Sequence, residues 1–339
     1  METPILQPAG ALLDLYGEDI RGRAYVTSDA LRGEQMLRPD FTVPVVQMHM
    51  AHGAEPARYT YAGEVFRRQE RDPDRANEYI QVGYEVFDRT NPAGADAEVF
   101  ALIRSALDGV PVVPMTGDIG VLRAAVAGLD TSAARKAALM RHIWRPARFR
   151  ALLDRYGGRV PVPEARAAVL RMQAPLEEAG PEIGLRQRHE VAARIDALRA
   201  DADTPPLDAQ VLEALDALVQ VHGPAPMAVR ALRALSAALP QIAPALDRVE
   251  ARLEALAARG VDAEQLPFDA SYGRSSMEYY DGFVFGFAAR GQPAWPPLAT
   301  GGRYDALTRH LGKGSEIPAV GGVLRPGLML ELEARAACA

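Results

Sequence analysis

GEVFRRQERDPDRANEYIQVGYEVFD, Gly63 to Asp88, is the stretch whose reading decides the fold. An aromatic, β-branched run enters a cluster of charges and Asp-Pro turn residues, and a second such run leaves it. In the second run Tyr79, Gln81, Gly83 and Glu85 alternate with Ile80, Val82, Tyr84 and Val86. Alternate residues of a strand share a face, so Gln81, Gly83 and Glu85 are expected side by side on a hairpin. A Gln, a small gap and a carboxylate suit a cationic or donor-rich ligand. The same pattern fits a solvated sheet face.

Around this hairpin the chain changes texture twice. Residues 1–115 are mixed, with the strand-like ARYTYAGEVF before the charge cluster and an amphipathic helical pattern in GADAEVFALIRSAL. Residues 116–260 turn to Ala, Leu and Arg at helical spacing, broken by Gly and Pro, with no repeat of fixed period. Strand patterns return in 261–339, with FVFGFAAR, PLATGGRYDAL and IPAVGGVL, before a closing helix RPGLMLELEARA. The order predicts an α+β fold, in which one antiparallel sheet built from both ends is flanked by helices and interrupted by an all-helical insertion over 116–260.

Composition bounds the function. With 339 residues, 48% hydrophobic and 24% charged, the chain can bury a large core in two domains or in one domain with an insertion. A net charge of −6 gives no basic footprint for nucleic acid. The single cysteine, Cys338, excludes a disulfide framework and a thiolate metal site. No apolar run reaches the roughly 18–20 residues that cross a bilayer, and the N-terminus has no signal-peptide pattern. A soluble, cytoplasmic protein is expected.

Four further stretches carry chemistry, each with an ordinary structural alternative. LRPDFT, Leu37 to Thr42, sets an acid and a hydroxyl two residues apart; Asp40 or Thr42 could equally cap a helix with Pro44 in its first turn. SSMEYYDG places Tyr279 and Tyr280 beside acids, and tyrosines there also serve as packing residues with a wet hydroxyl. The paired glycines of ATGGRYDAL permit close approach by a ligand or a tight turn. RHIWRPARFR, Arg141 to Arg150, could touch phosphate or an acidic partner, or be a solvated helix face. LGKGSE lacks phosphate-loop spacing, and His49 with His52 has no third ligand nearby for a metal.

In order, LRPDFT, YAGEVFRRQE, EYIQVGYEVF, MEYYDGFVFGF, GGRYDAL and PAVGG resemble the catalytic domain of histidyl-tRNA synthetases, a class II synthetase family. The resemblance covers most of both strand-rich zones and is weak in the helical middle. It implies a histidine-binding pocket from Asp40, Thr42, Arg67, Gln81, Glu85, Tyr279 and Tyr280. In it, Asp40, Thr42 and Gln81 hold the α-ammonium, while Glu85 and a tyrosine read the imidazole. At position 40, Asp replaces the family's Glu. The catalytic groups match less well: Ser275 falls on an arginine with Arg274 one place earlier, Gln69 on a glutamate, Asn77 on an arginine, and Gly327-Leu328 on a Glu-Arg pair near Arg325.

That combination is similar to the regulatory subunits of short-form ATP phosphoribosyltransferase, the first enzyme of histidine biosynthesis. The resemblance implies a non-catalytic paralogue with no cofactor. It would activate the short catalytic subunit, mediate feedback by L-histidine, and form a homodimer within a hetero-octamer without nucleic acid or membrane. The family's leading helix would precede Met1, and no tRNA-binding domain is expected after the last motif. Two alternatives stay open: an enzyme core that adenylates histidine with Arg274 or Arg325 as substitute cations, and a scaffold with a vestigial pocket.

Overall fold

Two ten-residue strands, β4 (Ala57–Phe66) and β5 (Glu78–Phe87), pair antiparallel from Ala57 opposite Phe87 to Phe66 opposite Glu78. They form the hairpin expected from Gly63 to Asp88. We describe a computed structural model, covering residues 1–10, 22–69, 75–177, 180–181, 183–274 and 279–337. Ser275 and Cys338, singled out in the sequence, lie outside these residues.

The hairpin opens an eight-stranded sheet. With β6 (Val112–Asp118), β7 (His222–Pro224), β8 (Pro267–Asp269), β9 (Phe283–Ala289), β10 (Ala299–Arg303) and β11 (Ala319–Leu324), the order is β4-β5-β11-β10-β9-β6-β8-β7. Both strand-rich ends of the chain therefore share one sheet, as the texture predicts. It is antiparallel except between β6 and β8, which pair parallel at Thr116 and Phe268. A second sheet, β1 (Leu6–Pro8), β3 (Gly33–Leu37) and β2 (Val26–Asp29), delivers the chain to the helix Thr42–His52.

Alternation in β5 divides the core. Val82, Tyr84 and Val86 face the cluster of Phe100, Ile103, Phe283, Phe285 and Phe287, in which the helix Pro92–Ala106 lies on the sheet. Gln81, Gly83, Glu85 and Phe87 are buried with the opposite face, where Phe41, Tyr61, Tyr279, Tyr280 and Tyr304 belong to the other apolar cluster. The polar face of the hairpin is thus interior, and its solvated reading does not hold. His49 is interior too: its ring stacks on Phe87 at 3.9 Å, and its Nδ1 meets the Tyr59 hydroxyl at 3.0 Å.

The helical stretch starts where Asp118 caps the helix Ile119–Ala127, its side chain accepting from Gly120 N. Ser132 and Asp208 cap Ala133–Arg141 and Ala209–Leu218 the same way, and Pro146 opens Pro146–Tyr156. The stretch over 116–260 is not all-helical as expected, because β7 within it returns to the sheet by pairing with β8. The helix Ala243–Ala258 then lies against Pro92–Ala106.

A buried line of charges locks that contact. Arg252 donates to Asp118 at 2.8 Å and to Asp96 at 3.3 Å, while Arg303 reaches Asp96 at 2.7 Å and Asp305 at 3.0 Å. The Arg252 guanidinium also rests over the Phe283 ring, 4.2 Å from its centroid. Removing one partner of a buried pair leaves a charge without compensation, which costs far more than the pair itself contributes. Arg252→Ala should therefore lower unfolding free energy by about 3 kcal/mol or more in urea titrations. A loss under about 1 kcal/mol would show that Asp96 and Asp118 do not depend on it.

Candidate functional site

Glu85 sits fully buried on β5, next to the edge strand β4, and three hydroxyls converge on its carboxylate. Thr42 Oγ1 and the Tyr61 hydroxyl each donate to Oε1 at 2.9 Å, and the Tyr304 hydroxyl donates to Oε2 at 2.5 Å. Burial pushes the Glu85 carboxyl up to about 7, against the opposing pull of these donors. Burial, followed by the charge of Glu85, raises the Tyr61 and Tyr304 phenols well above their usual value, so both stay protonated donors.

Glycines make room for this cluster. A Cβ on Gly321, opposite Glu85 across β11, would lie 1.4 Å from Glu85 Oε2. One on Gly83 would meet the Tyr61 ring at 2.2 Å, and one on Gly302 the Tyr280 ring at 2.8 Å. The paired glycines of β10 therefore receive side chains of the protein itself. They lie inside a strand, so the tight turn expected from ATGGRYDAL does not hold, while Gly301 also lines a cleft.

Asp40 forms a second pole. Arg67 Nη2 lies 3.6 Å from Asp40 Oδ2, Arg67 Nε donates to Pro39 O at 2.6 Å, and the Tyr279 hydroxyl is 3.4 Å from Asp40. The helix Thr42–His52 does begin here with Pro44 in its first turn, but its N-cap is Phe41 and no side chain caps it, so the reading of Asp40 or Thr42 as the cap does not hold. Asp40 Oδ1 reaches Val43 N only at 3.5 Å, while Thr42 turns its hydroxyl to Glu85, so both side chains also serve the cluster. Tyr279 and Tyr280 pack edge to face at 4.9 Å. Gln81 is buried on the same strand face as Glu85, and its Oε1 has no hydrogen-bond partner among the described residues.

Of the seven residues singled out, Asp40, Arg67 and Tyr279 join at one pole and Thr42 meets Glu85 at the other. Tyr280 stands by Tyr279 within electrostatic reach of both acids, and Gln81 contributes an unsatisfied acceptor. Tyr61 and Tyr304 were missed. The signal for Tyr61 was its register opposite Gly83, an aromatic residue filling the space beside a strand glycine.

Arg67 and Tyr280 also line a cleft of about 1110 Å³, with Tyr79, Trp295, Arg23, Arg75, Arg325 and Arg335 among its other walls. Gly327 and Leu328 lie on its rim. Gln69 and Asn77 close the base of the hairpin: Gln69 N donates to Asn77 Oδ1 at 2.8 Å, and Arg67 N to Asn77 O at 2.8 Å. Arg274 is not in the cleft. It is buried against the helical stretch, donating to Ile143 O at 2.8 Å beneath the Phe149 ring, and burial brings its guanidinium down to about 10.

A family model described as histidyl-tRNA synthetase matches residues 1–203 and 186–326. An ATP phosphoribosyltransferase regulatory subunit from Mesorhizobium japonicum is 32% identical over 95% of this chain and 90% of its own length. The chain belongs to this regulatory-subunit family. A relative of the same description from Allorhizobium ampelinum is 33% identical over 95% of this chain and 90% of its own length. Two crystal structures share the fold. One, an ATP phosphoribosyltransferase regulatory subunit/histidyl-tRNA synthetase from Bacillus halodurans, has a TM-score of 0.65 at 23% identity, covering 98% of this chain and 73% of the other. The second, histidyl-tRNA synthetase from Nostoc, has a TM-score of 0.62 at 18% identity, covering 99% and 68%. The α+β architecture is thus the class II synthetase-like fold of that family.

The raised Glu85 carboxyl has a defined effect on stability. The folded state holds its proton up to about 7, whereas an ordinary carboxyl releases it near 4.5. Its contribution is therefore fully present below 4.5 and is lost as pH rises through about 7, at about 1.4 kcal/mol per unit, or roughly 3 kcal/mol in all. Glu85→Gln should remove this loss, so the variant gains on the parent between pH 5 and pH 8 in urea unfolding. Parallel curves for the two proteins would contradict the raised carboxyl.

Proposed function

We propose that the chain is the non-catalytic regulatory subunit of an ATP phosphoribosyltransferase, and that it binds L-histidine at Asp40, Thr42, Arg67, Gln81, Glu85, Tyr279 and Tyr280. The observation that carries the family part is identity of about one third with regulatory subunits along 95% of the chain. What supports the ligand is the pocket's chemistry. A buried carboxylate among phenols and a hydroxyl suits an imidazole, and a second acid with the unsatisfied Gln81 oxygen suits an ammonium.

The proposal extends to assembly. The chain would form a homodimer, join the short catalytic subunit in a hetero-octamer in the cytoplasm, raise that subunit's activity, and pass histidine inhibition to it. Allosteric coupling of this kind is worth about 1–3 kcal/mol, a change of 5- to 150-fold in affinity. The arginines of the cleft favour a second reading, an adenylating enzyme core. Histidine-dependent ATP–pyrophosphate exchange would establish that reading, and the regulatory one expects none.

Co-purification with the short catalytic subunit, followed by phosphoribosyltransferase assays, tests the first reading. The pair should be more active than the catalytic subunit alone, and L-histidine should inhibit the pair. In calorimetric titrations Glu85→Ala should weaken histidine binding by about 2 kcal/mol, some 30-fold, because a charge-assisted partner is lost. Unchanged affinity would place histidine elsewhere, and no histidine binding to the chain or the pair would end the sensing role.

A further inference from the structure

We propose that Arg325 holds the carboxylate of the amino acid whose cationic end lies among Asp40, Gln81 and Glu85. This rests on the histidine reading above and adds to it a residue for the ligand's anionic end. A free amino acid carries both charges, and a site complementary only to its cation leaves the carboxylate desolvated without a partner.

The charges of the cleft are unevenly spent. Arg67 pairs with Asp40 at 3.6 Å, and Arg75 and Arg335 both reach Glu331, at 3.4 and 3.1 Å. Arg75 and Arg335 also flank the Trp295 ring, at 5.0 and 4.9 Å. Arg325 pairs with no carboxylate among the described residues. Its guanidinium donates to Pro297 O and meets the Tyr79 hydroxyl, two contacts for a group with five N–H donors. It is half-buried at the wall of the cleft, so a ligand there would find it partly desolvated and without a counter-ion.

Its place relative to the acids is set by Tyr280. That phenol lines the cleft together with Arg67 and Arg325 and packs at 4.9 Å on Tyr279, whose hydroxyl is 3.4 Å from Asp40. The positive field on the cleft side also acts on Tyr79. Burial alone would raise this phenol, yet Arg67, Arg325 and Arg23 together bring it below its usual value. A negative pole and a positive pole thus meet around one tyrosine, an arrangement that fits a zwitterion. Arg274 is turned away from the cleft, to Ile143 O and Phe149.

Equilibrium dialysis with L-histidine and with histamine, which is histidine without its carboxylate, tests the assignment on the full chain. The parent should bind L-histidine at least tenfold more tightly than histamine. Arg325→Gln should lose about tenfold for histidine and stay within twofold for histamine, so the preference collapses. Circular-dichroism melts establish that the variant is folded. If it is not, Arg325→Lys decides, with a reduced histidine-to-histamine ratio expected. A parental ratio in the folded variant, or equal losses for both ligands, would overturn the role of Arg325. Glu85→Gln, which should weaken both ligands alike, separates the two proposals. Loss with Glu85→Gln but none with Arg325→Gln overturns only the present inference, while a parent that binds neither ligand overturns both.

Discussion

A carboxylate buried on a strand of a sheet constrains everything around it. Glu85 cannot be satisfied by β5 alone, because neighbouring residues of a strand face the other way. Its three donors come from the start of the helix Thr42–His52, from β4, and from the residue after β10. Each must be placed to within a few tenths of an ångström, since an unsatisfied buried acceptor costs about 1–3 kcal/mol. The two glycines that leave room for the carboxylate and the Tyr61 ring, Gly321 and Gly83, fix the register of β11 and β4 against β5. A slip of one residue in the pairing of β4 with β5 would turn Tyr61 to the other face.

Much of this was legible because it is periodic or local. The alternation in EYIQVGYEVF gives the face that carries Gln81 and Glu85, and the acid and hydroxyl of LRPDFT fall where a helix begins. The change of texture at both ends of the helical stretch gives the single sheet. What stayed hidden depends on distance along the chain. Tyr304 meets a residue 219 positions away, and Arg252 meets acids 156 and 134 positions away. Nothing in the local pattern of either segment distinguishes these from ordinary packing or surface residues.

The glycines show the same limit from another side. In sequence, Gly301-Gly302 offers only conformational freedom or close approach. In the sheet Gly302 stands opposite Gly321 and Gly301 opposite Gly322, which makes a strip without Cβ atoms across β10 and β11. On one face the Glu85 carboxylate and the Tyr280 ring lie in the strip, and on the other the Phe285 ring does. The strip is therefore a requirement of the side chains that cross it, and only the pairing register reveals them. The orientation of Arg274 is similarly a matter of which layer its turn packs against, which the segment itself does not specify.

The sheet also joins the pocket to the helical stretch through two consecutive residues. Tyr304 points to Glu85, while Arg303 points to Asp96 and, through it, faces Arg252 on the helix Ala243–Ala258. Both are carried by one backbone segment at the end of β10, so a displacement of that segment moves the Tyr304 hydroxyl and the Arg303 guanidinium together. A tightly packed interior does not absorb such shifts by compression. The Glu85 cluster and the helical stretch are thus tied to adjacent residues, Tyr304 just after β10 and Arg303 at its end.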